Sequence, residues 1–305
     1  MLDVIIVGGG PAGLSAALVL GRCRRRVLIL DAGRPRNAAS HGLHGFLTRD
    51  GIEPAEFLRL AREQLRPYET VELRQAEVTY ARRLASGFEV TLNNGEVISS
   101  RKLLLATGVV DDVPAIEGLA ELYGRSVFHC PYCDGWEMRD QSLAVYGRGE
   151  NGLGLALELL LWSRDLVLCT DGPAELCAEE RQRLAHHEIR IREDRITRLE
   201  GSDGALKRIV FANGEPLTRS AMFFSTGNRQ ASDLAEKLGC KFTEQGCVDT
   251  GDYETTNVPG LYVAGDASRL VQFVIVAASE GAQAAVAINK ELMKEDLDSS
   301  TLKDF

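Results

Sequence analysis

A glycine pattern occurs twice in this chain, each time between an apolar run and a helix-like stretch. Residues 3–7 are a β-branched run that leads into Gly8-x-Gly10-x-x-Gly13, and residues 14–21 then read as a helix. Residues 27–30 follow as a second strand ending at Asp31, which completes a βαβ unit with a parallel pair. Gly8 permits the tight turn, Gly10 lets backbone approach a pyrophosphate, and Gly13, followed by the helix, lets helix and strand pack closely. Asp31, 18 residues beyond Gly13, is placed to accept hydrogen bonds from an adenosine ribose. A glycine-rich turn without a ligand is the plainer alternative, but strand, helix and acid each stand where a dinucleotide fingerprint requires.

The second copy has the same plan. Residues 142–146 read as a strand, 147–154 as a turn carrying Gly147-x-Gly149-x-x-Gly152, 155–162 as a helix and 166–169 as the next strand, with Asp171 beyond it. Residues 221–225, closing on Thr226-Gly227, echo the buried strand at 102–107 that closes on Thr107-Gly108. An alternating stretch at 88–97 with an Asn93-Asn94-Gly95 turn predicts a hairpin, and residues 109–114 read as a linker loop. Residues 260–266 and a last helix near 283–294 return to complete the first domain. The predicted fold class is α/β, with two Rossmann-like dinucleotide-binding domains, the second inserted into the first.

Composition narrows the function. A chain of 305 residues has room for two domains of ordinary size, and 45% hydrophobic with 26% charged residues is normal for a globular protein. A formal charge of −9 repels a phosphate backbone, so nucleic acid is not an expected partner. No apolar run reaches the length of about 18 residues that spans a bilayer, so no membrane association is expected. The first twenty residues carry Asp3 and then Gly8, Gly9, Gly10 and Pro11, unlike a secretory leader, and the expected location is the cytoplasm. Arg22 and Arg24 to Arg26 read as a solvated helix end. Seven scattered cysteines do not make a structural disulfide framework, so any redox or metal role must be local.

Gly8-Gly9-Gly10-Pro11-Ala12-Gly13, Ala106-Thr107-Gly108, Cys130-Pro131-Tyr132-Cys133-Asp134-Gly135, and Gly265-Asp266 with Gln272 and Gly281 together resemble the low-molecular-weight thioredoxin reductase family. The matches run in the family's order over nearly the whole chain. The resemblance implies FAD on residues 1–112 and 246–305, with Asp266 and Gln272 near the ribityl chain and isoalloxazine. Phe273, beside them, is counted among the cofactor-binding residues. It also implies an inserted domain at 113–245 that carries the redox cysteines, and a homodimer.

Cys130 and Cys133 have the spacing with which two thiols on one helical turn can close a disulfide ring, and Pro131 suits a first helical position. A zinc site would need a second close pair, and Cys240 and Cys247, with six residues between them, do not make one. No metal is expected, and Cys23, Cys169, Cys177, Cys240 and Cys247 read as inert. By the family's pattern Cys133 faces the flavin and exchanges electrons with its C4a position, Cys130 exchanges with an external disulfide or dithiol, and Asp134 is the general acid. His129 beside the pair and His44 near the flavin are further candidates.

The second loop departs from the family. The resemblance would place a His-Arg-Arg clamp for the NADPH 2′-phosphate after the second strand, where this chain has Cys169-Thr170-Asp171-Gly172-Pro173. Asp171 repels a 2′-phosphate, and Glu150, at the position of Pro11 in the first copy, adds negative charge where a pyrophosphate would sit. NADPH is therefore not expected, and NADH stays open. The expected partner is a thioredoxin or a small dithiol or disulfide, with reduced ferredoxin as an alternative electron donor. A dithiol oxidase that passes electrons to oxygen and a flavin-binding redox sensor without turnover are the rival readings. The terminal Phe305 is a candidate to stack on an exposed flavin face.

Overall fold

The structure is a computed structural model that describes residues 1–299. The chain opens with β1 (Leu2–Val7), α1 (Pro11–Arg22), β2 (Val27–Asp31), α2 (Pro54–Leu65) and β3 (Val71–Gln75), then a meander of β4 (Val78–Leu84), β5 (Gly87–Leu92) and β6 (Val97–Leu105). β1, β2, β3 and β6 form a parallel sheet in the order β3-β2-β1-β6, with β5 and β4 added antiparallel. The predicted hairpin is present, but its second arm and the predicted buried strand are one continuous β6. The first half of β6 pairs antiparallel with β5, while Leu103 to Leu105 pair in parallel with a strand from the far end of the chain.

Short strand β7 (Val109–Asp111) follows, where a linker loop was predicted, and pairs with β16, introduced below. Next come β8 (Val127–Phe128), α3 (Pro131–Asp134), β9 (Leu143–Tyr146), α4 (Gly149–Glu158), β10 (Leu166–Cys169), α5 (Ala178–His186) and β11 (Arg190–Arg192). After them stand β12 (Ile196–Ser202), β13 (Ala205–Phe211), β14 (Pro216–Thr218), β15 (Ala221–Phe224) and β16 (Asn228–Gln230). The strands β11-β10-β9-β15-β8 make a parallel sheet, and β12-β13-β14 a separate antiparallel one. α4 starts inside the glycine turn, several residues before the helix predicted from its apolar run.

The chain ends with α6 (Leu234–Lys237), β17 (Leu261–Val263), which is the strand on β6, and α7 (Val274–Asp298). α7 has 25 residues and begins well before the predicted start near residue 283. Val274, Ile275 and Val276 favour strand locally, but tertiary packing overrides that preference. Two compact units result: among the described residues, 1–38, 46–110 and 229–299 form one, and residues 39–45 and 111–228 the other.

In the first unit the sheet is buried on both faces. Val4, Ile6, Val27 and Ile29 meet α1 and α7, while Ile5, Val7, Leu28 and Leu30 meet the residues of the meander. This is the continuous apolar patterning a parallel sheet needs, and each such side chain contributes about 1.5–3 kcal/mol on burial. α1 and α7 touch through Ala12, Ala16, Ala17, Ala277, Ala284 and Ala285. At Gly281 the contact is backbone to backbone: a Cβ there would stand 1.9 Å from the Ala12 carbonyl oxygen. Small residues thus pin the start of α7 against the first glycine loop. Among the described residues no helix is long and apolar enough to cross a membrane.

Candidate functional site

The first glycine loop sits where the sheet order reverses between β1 and β6, the place at which open α/β sheets hold ligands. Gly8 has φ +114°, and a Cβ on it would lie 2.1 Å from the Ala106 carbonyl oxygen, so only glycine fits between the strand ends. A Cβ at Gly13 would meet the Gly8 carbonyl oxygen at 2.0 Å, which brings α1 close on the strand. At Gly10, the residue before α1, a Cβ would meet nothing within 4 Å, so open space lies beside the helix N-terminus, and Pro11 takes the first helical position. Asp31 ends β2; its carboxylate accepts from the Gly33 amide at 2.9 Å and from Arg62 at 2.9 Å, and keeps lone pairs for a ribose hydroxyl.

The other predicted cofactor residues join this loop from across the chain. Thr107 and Gly108 follow β6, and Gly108 takes φ +66° and accepts from the Ala231 amide at 3.1 Å. Gly265 and Asp266 form the turn after β17, and Phe273 precedes α7 with its carbonyl accepting from the Ala277 amide at 2.9 Å. Arg36, which the motif reading did not single out, ties two of them together: it donates to Asp266 Oδ2 at 2.9 Å and to Gln272 Oε1 at 2.7 Å. Beneath the turn, buried Glu280 accepts from the Gly265 amide at 2.7 Å and pairs with Arg269 Nε at 2.5 Å. Arg269 also donates twice to buried Glu254, whose carboxyl is pushed up to about 7, first by burial and then by Glu280. Burial raises Glu280 as well, against the bonds it accepts. Gly265 has φ +86°, and this cluster holds that unusual turn in place.

In the second unit Cys130 and Cys133 form a disulfide across α3, with their Cα atoms 5.3 Å apart. Cys130 is the residue before the helix, Pro131 is the first helical residue, and the Cys133 amide donates to Cys130 Sγ at 3.1 Å. Asp134 follows directly; its carboxyl is pushed up to about 7 by burial and, secondarily, by the charge of Glu137. His44 Nε2 lies 3.6 Å from Glu137 Oε1, so the predicted candidate His44 reaches Asp134's neighbour. His129 is not a bare surface residue: Tyr123 Oη lies 3.1 Å from its Nδ1 and donates to Asp111 Oδ2 at 3.0 Å. Tyr132 and Trp136, both largely exposed, flank the bridge, with Trp162 edge-on to Tyr132. Among the described residues no His, Cys, Asp and Glu cluster suits a metal.

The second glycine loop keeps the backbone plan of the first, since a Cβ at Gly152 would lie 2.6 Å from the Gly147 carbonyl carbon. Its side chains differ. Glu150 is exposed on the first turn of α4, where the helix dipole favours a carboxylate. Asp171 takes φ +51°, and its Oδ1 accepts from the Ile196 amide at 2.6 Å. Against the Asp171 turn lies a cation that the sequence reading overlooked: Arg148 donates from Nε to the Thr170 carbonyl at 2.6 Å and from Nη2 to the Asp171 carbonyl. The site is therefore not uniformly negative. Phe305 lies outside the described residues.

Arg36, Arg148 and Glu280 escaped the sequence reading because each acts on a partner 15 or more residues away, and Glu137 because burial of the adjacent Asp134, which makes its charge felt, is not written in the sequence. The nearest signal was that Arg148 stands where the first copy has Gly9.

The family profile described as pyridine nucleotide-disulphide oxidoreductase matches residues 2–281. A curated protein of Arthroderma benhamiae named probable thioredoxin reductase is 31% identical, over 96% of this chain and 81% of its own length. The solved structure of a putative thioredoxin reductase TrxB from Bacillus anthracis is 34% identical with a TM-score of 0.92, covering 97% of this chain and 99% of its own. The crystal structure of a protein called HlmI is 36% identical with a TM-score of 0.94, covering 98% and 95%.

Proposed function

Since the chain belongs to the pyridine nucleotide-disulphide oxidoreductase family, as a thioredoxin-reductase-like flavoprotein of the low-molecular-weight kind, we propose that it carries electrons between FAD, the Cys130–Cys133 bridge and an external dithiol or disulfide, without NADPH as donor. The observation that carries this reading is the pairing of that bridge with a buried carboxyl, Asp134, whose affinity for protons is tuned near neutrality.

The residues of the first unit fit FAD. The loop from Gly8 through Gly10 to Gly13, with Pro11 and Ala12, takes the pyrophosphate, Asp31 the adenosine ribose, and Thr107, Gly108, Gly265, Asp266, Gln272 and Phe273 line the remainder. Bound FAD supplies a two-electron carrier. In the thiol exchange a substrate thiolate attacks Cys130 Sγ, the disulfide bond breaks, and Cys133 leaves as a thiolate that takes the proton of Asp134. The second substrate thiol gives its proton to the Asp134 carboxylate and attacks the mixed disulfide, releasing oxidised substrate and the Cys130 thiolate, which the Cys133 amide stabilises. Every step reverses when the substrate is a disulfide, and Asp134 then collects the proton.

The partner follows from the same chemistry: a thioredoxin or a small dithiol, with reduced ferredoxin as a donor able to replace the nucleotide. A homodimer is part of the reading. So is a cytoplasmic setting, because Cys23 and Cys177 are exposed free thiols that a reducing pool keeps reduced.

Anaerobic titration of the flavin-loaded protein tests the proposal. NADPH and NADH should leave the oxidised flavin absorbance unchanged, while a dithiol or reduced ferredoxin bleaches it. Rapid bleaching by NADPH would return the protein to the NADPH-dependent reductases. Sustained oxygen uptake with a dithiol alone would instead mark a dithiol oxidase, and no turnover with any donor a sensor.

A further inference from the structure

We propose that Arg148 excludes adenine dinucleotides from the second glycine loop by occupying the place of the adenosine ribose. The inference rests on the reading that NADPH is not the donor, extends it to NADH, and names the residue responsible.

The two loops serve as each other's control. They share glycine spacing and follow equivalent strands, but the middle residue of the first triplet is Gly9 in one copy and Arg148 in the other. A Cβ at Gly9 would come within 2.4 Å of Asp31 Oδ2, so the ribose-binding acid stands directly against bare backbone. In the second copy the Arg148 side chain crosses to the turn after β10, where the equivalent acid, Asp171, is found. Its Nε and Nη2 donate to the Thr170 and Asp171 carbonyls, and Nη2 lies 3.9 Å from Asp171 Oδ2. Nη2 is also 2.9 Å from the position of a Cβ on Gly172.

The turn is held in this form from its other side. Thr170 Oγ1 donates to the Gly172 carbonyl at 2.6 Å, and the Ile196 amide holds Asp171 Oδ1. A ribose reaching Asp171 must strip the guanidinium from two carbonyls and take its volume. Arg148 also aims its Nε and Nη2 at the chain's own carbonyls, not outward as a clamp for a 2′-phosphate would. The guanidinium fork is what allows one side chain to bridge both carbonyls; an ammonium group at the same reach holds them less well.

Calorimetric titration of flavin-loaded protein with ADP-ribose, NADH and NADPH tests this, and ADP-ribose reports binding without any electron transfer. The parent should give no saturable heat below about millimolar concentrations. Arg148→Ala should bind ADP-ribose and NADH at least about tenfold more tightly than the parent, and NADH more tightly than NADPH because Asp171 then faces the ribose. Arg148→Lys should show a smaller gain. Equal or weaker binding by Arg148→Ala overturns the inference, and if that variant loses its flavin, absence of any gain in Arg148→Lys does so. Bleaching of the parent flavin by NADPH refutes the proposed function instead, and the ratio of variant to parent affinity still decides the role of Arg148.

Discussion

Asp134→Asn should make the protein more stable above neutral pH and nearly inactive. The Asp134 carboxyl is raised from 3.8 to about 7, so the folded chain holds a proton there that the unfolded chain releases over that interval. A raised carboxyl contributes its stability fully below the unfolded value and loses it as pH rises through the folded one. The whole shift corresponds to about 4 kcal/mol, of which the part lying between pH 5 and pH 8 is at most about 2.6 kcal/mol, and because the side chain keeps some contact with solvent, the expected loss over that interval is about 1.5–2.5 kcal/mol. Asparagine stays neutral throughout. Urea unfolding at the two pH values should therefore show parent and variant similar at pH 5, with the variant ahead by that amount at pH 8.

The thiol exchange should move the opposite way. Loss of the proton donor should slow it about 10²–10⁴-fold and remove the inflection near pH 7 that the parent's rate profile shows. Glu137→Gln, which withdraws the secondary cause of the shift, should move that inflection to lower pH while leaving it present. The reasoning is refuted if Asp134→Asn gains no stability relative to the parent on going from pH 5 to pH 8, or if its rate profile keeps the parental inflection.

Three further outcomes follow from the geometry. Gly281→Ala puts a methyl group 1.9 Å from the Ala12 carbonyl oxygen, so α7 must shift from α1; a loss of about 1–3 kcal/mol in unfolding and faster flavin release on dilution are expected. Arg269→Met leaves Glu254 and Glu280 buried without their cation and should cost about 3–5 kcal/mol, more at pH 8 than at pH 5 because Glu254 ionises near 7, read as a drop in Tm at each pH. Cys133→Ser should abolish electron exchange between flavin and the cysteine site, whereas Cys130→Ser should leave a thiolate at Cys133 and a long-wavelength charge-transfer absorbance; the reverse pattern would exchange the two roles.

The elements legible in the sequence are those set by local spacing. Runs such as residues 166–169 and 221–225 give strands β10 and β15 almost to the residue, because short continuous apolar stretches between turns have few other uses in an α/β chain. Element ends were less legible. The β-branched start of α7 reads locally as strand, and only its packing on the small residues of α1 makes it helix. Residues 109–111 look like a linker because the partner that turns them into a strand, residues 228–230, lies more than a hundred residues away.

The same division holds for chemistry. From its sequence alone the chain had two dinucleotide-type loops, a Cys130/Cys133 pair with an adjacent acid, and no basic clamp for a 2′-phosphate, because these depend on residue type and short spacing. Tertiary structure decided which of those groups are already engaged: Arg36 reaches Gln272 across 236 residues, Glu280 seats the Gly265 turn, burial pushes the Asp134 carboxyl up to about 7, and Arg148 donates to the Thr170 and Asp171 carbonyls. Short spacing dictates backbone conformation, but a long side chain finds its partner only when folding has brought distant segments within the few ångströms over which a hydrogen bond acts.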